Sequence, residues 1–111
     1  MKILKIRCVD KINTSFGKLV MSPVPFKEDS IIAPFLKRMK EQYKKITKAF
    51  EEKKESRLKN LIDETGRIFI QHHKELSNHN YTWQYGEWLT KLHIAFKDME
   101  NDMYKECRYW D

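Results

Sequence analysis

At 111 residues the chain has room for one hydrophobic core and not for two. With 41% apolar and 34% charged residues it lies outside the composition of disordered chains, and no apolar run approaches the roughly 18 residues of a membrane span. The net charge of +6 is unevenly placed: residues 1–60 hold 16 Lys/Arg against 7 Asp/Glu, and residues 61–111 hold 6 against 9. A basic front half is expected either to pack on the acidic back half or to face a polyanion or an acidic partner.

The segment Met1-Lys2-Ile3-Leu4-Lys5 meets a charge after two apolar residues, which does not suit the apolar core of an export signal. Cys8 and Cys107 are accordingly read as free thiols, and the protein as cytoplasmic. In residues 2–9, Leu4, Ile6 and Cys8 alternate with Lys5 and Arg7, the pattern of a half-buried strand. Residues 10–17 carry turn formers and end in Gly17. A second strand is expected from Lys18 to Ser22, stopped by Pro23-Val24-Pro25 because proline cannot donate to a ladder. Two strands alone are marginal in water, so such a hairpin must lie on helices or pair with another chain.

Asp29 or Ser30 can cap a helix with Pro34 in its first turn. Phe35, Met39, Tyr43, Ile46 and Phe50 then follow at helical spacing, one face of an amphipathic helix. Glu51 to Arg57 holds no apolar side chain, so a turn is expected there, with Ser56 as a cap. Leu58, Leu61, Ile62, Thr65, Phe69, His72 and Leu76 form the face of the next helix, which contains Gly66. Ser77 to Asn80 reads as a loop. Thr82 caps a last helix with the stripe Tyr85, Leu89, Leu92, Phe96, Met99, Met103, Glu106 and Trp110, at the alternating steps of a heptad. The expected fold is α+β and mostly α: a β-hairpin and proline loop over 1–26, then about three helices in an antiparallel bundle over 29–111. A helix of some 25 residues is about 38 Å long, which allows its far end to stand proud or to meet a second copy in a homodimer.

Three constellations bear on function. Lys37, Arg38, Lys40, Lys44, Lys45 and Lys48 lie on the first long helix; such a set suits diffuse attraction to phosphates or to an acidic protein. Eight of the 14 aromatic residues fall in the last 31 positions. Tyr85 and Trp88 belong to the expected core, while Tyr81, Trp83, Tyr109 and Trp110 are candidates for a partner-facing patch. No cofactor and no metal are expected. The spacing of His72, His73, His79 and His93 with the two cysteines matches no zinc framework, and three scattered glycines form no phosphate loop.

Arg67-Ile-Phe-Ile-Gln-His72 is similar to the Arg-x4–6-His element of the small, all-helical HEPN ribonucleases. The resemblance covers six residues. It implies an arginine that steadies phosphate charge and a histidine that moves protons. The pattern departs at Ile68, where that family usually carries a polar residue, and the element is central in this chain where the family's lies late.

The reading that accounts for most of these features is a small non-catalytic regulator or inhibitor that binds a protein partner. Proteins of this type are common among phage and mobile-element factors acting on a host enzyme. The alternatives are a basic nucleic-acid-binding protein using Lys37 to Lys48, and a ribonuclease using Arg67 and His72.

Overall fold

The computed structural model describes residues 15–106. Among them are four helices and no strand: α1 (Gly17–Met21), α2 (Ile32–Glu51), α3 (Glu55–Leu76) and α4 (Trp83–Glu106). The expected α+β class and its β-hairpin are therefore corrected. The first proposed strand, residues 2–9, lies outside the described residues; the second, Lys18 to Ser22, is helix α1 and its cap. Five residues with adjacent Leu, Val and Met do not distinguish the two periods. What decides is Lys18: a strand would put it on the same face as buried Phe16 and Val20, whereas a helix keeps those two on the core side, one turn apart, and turns Lys18 out to solvent. Phe16 meets the rings of Phe96 at 5.9 Å and Tyr43 at 6.3 Å. Ser22 is extended, and the prolines that follow carry the chain to α2.

Asp29 starts α2. Its Oδ1 accepts from the backbone N–H groups of Ile31 and Ile32 at 2.9 and 2.8 Å, and its carbonyl accepts from Ala33, the arrangement of an N-cap. The expected turn within 51–57 is present, but Ser56 is not its cap: α3 begins at Glu55. Lys54 N–H donates to the Ala49 carbonyl and Lys53 N–H to that of Phe50, while Lys53 has φ 56°. This is a Schellman ending with lysine where glycine is usual. At α4, Tyr85 N–H donates to the Thr82 hydroxyl, so the expected cap stands.

The three-residue turn makes α2 and α3 antiparallel, and the His79–Asp29 contact of 2.8 Å joins the end of α3 to the start of α2. At about 1.5 Å per residue the three long helices are roughly 30–36 Å long. They must therefore run along the long axis of a molecule measuring 46 × 22 × 18 Å. One continuous hydrophobic cluster joins all four helices. Every apolar stripe position expected from Phe35 to Met99 is buried except Tyr43, which is half-buried. A buried hydrogen bond also crosses between helices: Gln42 Nε2 donates to Thr65 Oγ1 at 2.9 Å, and Thr65 donates to the Leu61 carbonyl at 2.7 Å. No helix among the described residues is long and apolar enough to cross a membrane.

Two substitutions test the backbone account in opposite directions. Lys53→Gly should stabilise the fold by about 0.5 kcal/mol, because relief of the left-handed cost exceeds the added unfolded-state entropy. Gly66→Ala should stabilise by about 1 kcal/mol through helix propensity, since an added Cβ would sit 4.0 Å from Phe96 in ordinary contact. Urea unfolding at unchanged slope reads both.

Candidate binding surfaces

The geometry near the start of α4 follows from one buried contact. His72 of α3 is 1% exposed and Tyr85 of α4 is fully buried, with His72 Nε2 against the Tyr85 hydroxyl and His72 Nδ1 3.4 Å from Glu75 Oε1. Burial, with the nearby Asp29 carboxylate, raises the Tyr85 pKa above the ordinary phenol range, so the hydroxyl keeps its proton. Tyr85 then donates to Nε2, leaving Nδ1–H to face the Glu75 carboxylate; this tautomer is assigned from the partners. Phe35 of α2 stacks on the imidazole with centroids 3.9 Å apart. One side chain thus touches all three long helices.

Two residues along a helix is a turn of about 200°, so burying Tyr85 directs Trp83 outward. Trp83 is 72% exposed and Tyr81 48%. Tyr81 meets Tyr85 edge-on and lies over Gly86, where an added Cβ would come within 3.3 Å of its ring. Beneath them Tyr85 stacks on Trp88, and Phe26 packs edge-on against both. Trp83, Trp88, Leu19 and Pro25 line a groove of about 300 Å³, with Glu87 and Lys91 at its margin. A second hollow of about 460 Å³ shares Leu19 and Lys91 with it and reaches Ile94 and Ala95. Together they form a trough between α1 and α4, edged by the Glu87–Lys91 ion pair at 3.2 Å.

Of the other aromatic candidates, Tyr109 and Trp110 lie outside the described residues. Leu19, Pro25 and Ile94 were not among the expected site residues. Ile94, 59% exposed, was detectable as an apolar residue off the α4 stripe. Leu19 was hidden by its assignment to a strand.

The basic candidates form a separate surface. Lys37, Arg38, Lys40, Lys44, Lys45 and Lys48 are all exposed, and none has an ion-pair partner among the described residues. Beside them a groove of about 410 Å³ between α2 and α3 is lined by Lys45, Arg57, Asn60, Leu61 and Glu64.

The Arg67–His72 pair is not brought together. Five residues along a helix is about 140° of rotation; Arg67 is exposed while His72 is buried with both ring nitrogens engaged. His93 stacks on Phe69 and lies 5.8 Å from the His73 ring. Among the described residues no group of three or more His, Cys, Asp or Glu could hold a metal ion. Comparison with protein-family models, with curated proteins and with solved structures finds no match to this chain.

Burial lowers the His72 pKa below its ordinary 6.5, against the opposing pull of Glu75, and burial likewise lowers that of His93. Where the unfolded chain is protonated and the folded chain is not, stability rises with pH. The stabilisation is therefore complete well above the ordinary histidine value of about 6.5 and declines as the pH falls through it. Denaturant unfolding on both sides of that pH should show the decline, and His72→Leu should reduce it to the part that His93 supplies. Tyr85→Phe should cost about 1–3 kcal/mol by stranding the buried Nε2. The double variant should cost less than the sum of the two singles, as a double-mutant cycle will show. At lower pH a second decline is expected. Asp29 is held down to about 2, first by the Ile32 N–H bond and then by His79, so its contribution is present above about pH 4 and lost as the carboxylate protonates. Asp29→Asn should remove that acid limb.

Proposed function

We propose that this chain is a non-catalytic binding protein, a regulator or inhibitor, that docks on a partner protein through the trough headed by Trp83. The observation that carries the reading is Trp83 itself, 72% exposed at the mouth of a groove floored by Trp88, Leu19 and Pro25. Tryptophan is on average well buried in folded chains, and at interfaces it is among the residues that supply most of the affinity. Tyr81, Met21 and Ile94 are also large apolar residues at least 48% exposed. The occupied nitrogens of His72 favour a structural role for that imidazole, which supports binding over RNA cleavage.

The test is capture of partners from the source cell by the immobilised full chain. Trp83→Ala should leave folding stability within about 0.5 kcal/mol and reduce the captured partner at least tenfold, in keeping with loss of an anchor. Capture that persists undiminished in Trp83→Ala and in Ile94→Asp would sink the reading.

A further inference from the structure

The exposed cations of α2 differ in kind from the trough. At 100° per residue, Lys37, Arg38, Lys40, Lys44, Lys45 and Lys48 fall within an arc of about 160° centred opposite the core, and span about 16 Å along the axis. Glu41 and Glu51 share that arc, leaving six cations against two carboxylates. Past the turn the balance changes, since Glu52 and Glu55 flank Lys53 and Lys54, while Arg57 joins Lys45, with Glu64, in the groove beside it.

None of the exposed large hydrophobic residues, Met21, Ile70, Tyr81, Trp83 and Ile94, belongs to α2. A folded protein partner is held by an apolar centre within a polar rim, and this face has no such centre. Binding to unpaired strands draws on aromatic platforms, which are also lacking on the outer face of α2. What the face offers is a run of flexible point charges, five of the six being lysine, which suits diffuse neutralisation of a phosphate backbone better than bidentate reading of bases.

We infer that the outer face of α2 binds the backbone of duplex nucleic acid, without sequence preference, as a second surface independent of the Trp83 trough. The charges leave about four net phosphate neutralisations, so log K should fall with log salt at a slope of about −3.6, roughly a 100-fold loss between 50 and 200 mM.

The experiment is fluorescence anisotropy of the full chain with a labelled random-sequence 20-base-pair DNA duplex across that salt range. Micromolar binding at 50 mM salt with this slope is expected. In K40E/K44E/K48E binding should weaken at least 100-fold while helicity and unfolding midpoint persist. In K40Q/K44Q/K48Q the slope should shrink by about 2.7, or 0.9 per contact removed. W83A should bind the duplex unchanged, which separates this surface from the trough. Failure of the native chain to bind at 50 mM salt overturns the inference, as does a neutral triple variant with the native slope. Tighter binding to a single strand of equal length would overturn the duplex assignment. Displacement of the duplex by polyglutamate at equal charge concentration would assign the face to acidic protein instead.

Discussion

The imidazole of His72 is the point on which the three long helices converge. It sits on α3, stacks against Phe35 of α2 and accepts a hydrogen bond from Tyr85 of α4. A polar ring at this depth is tolerable only when its hydrogen-bonding groups are met, and the geometry that meets them leaves little freedom in the helices. Tyr85 must face inward, which sets the rotation of α4 about its axis. At the same end of the bundle, Asp29 caps α2 with one carboxylate oxygen and holds His79 with the other. The α3–α4 loop is thereby tied to the start of α2.

The exposed trough is a consequence of that rotation. With Tyr85, Leu89, Leu92, Phe96 and Met99 turned into the core, Trp83, Glu87, Lys91, Ile94 and Asp98 line the outward side of α4. The short helix α1 lies alongside and contributes Leu19 to both halves of the trough. Gly86 has a local part in this: its bare backbone leaves space for the Tyr81 ring, which an added methyl would press at 3.3 Å. The aromatic entry to α4 therefore divides into Tyr85 and Trp88 as packing and Tyr81 and Trp83 as surface.

The charge pattern follows the same division between core and exterior. Residues 1–60 carry the basic excess and residues 61–111 the acidic one, yet the exposed cations of α2 find no ion-pair partners among the described residues. The charges that do pair lie mostly within single helices, as in Glu55–Lys59 and Glu87–Lys91, where neighbours one turn apart gain a few tenths of a kcal/mol. Neutralisation of one half of the chain by the other is thus not how the described helices are joined. Their joints are apolar stripes, the Gln42–Thr65 hydrogen bond and the His72 cluster.

The long helices, their buried faces, a turn within Glu51 to Arg57, a cap at Asp29 or Ser30 and the cap at Thr82 were legible in the sequence, because period and capping chemistry are local properties. The helical state of Lys18 to Met21 was not. A five-residue segment carries too little periodicity, and the helix is selected by burying Phe16, against Phe96 and Tyr43, together with Val20 while Lys18 between them stays in solvent. Gln42 was not among the residues expected in the core, and its partner Thr65 lies 23 positions away. His72 was placed on a buried face by its spacing, but its hydrogen-bonding partner across the helix interface was not. The sequence by itself determined which faces of α2, α3 and α4 are apolar and which are charged, since side-chain chemistry and helical repeat suffice for that. Only the tertiary structure decided that α1 is a helix, that Tyr85 closes on His72, and that Leu19, Pro25 and Ile94 join Trp83 along one trough. Each of those depends on residues far apart in the chain meeting at a common distance.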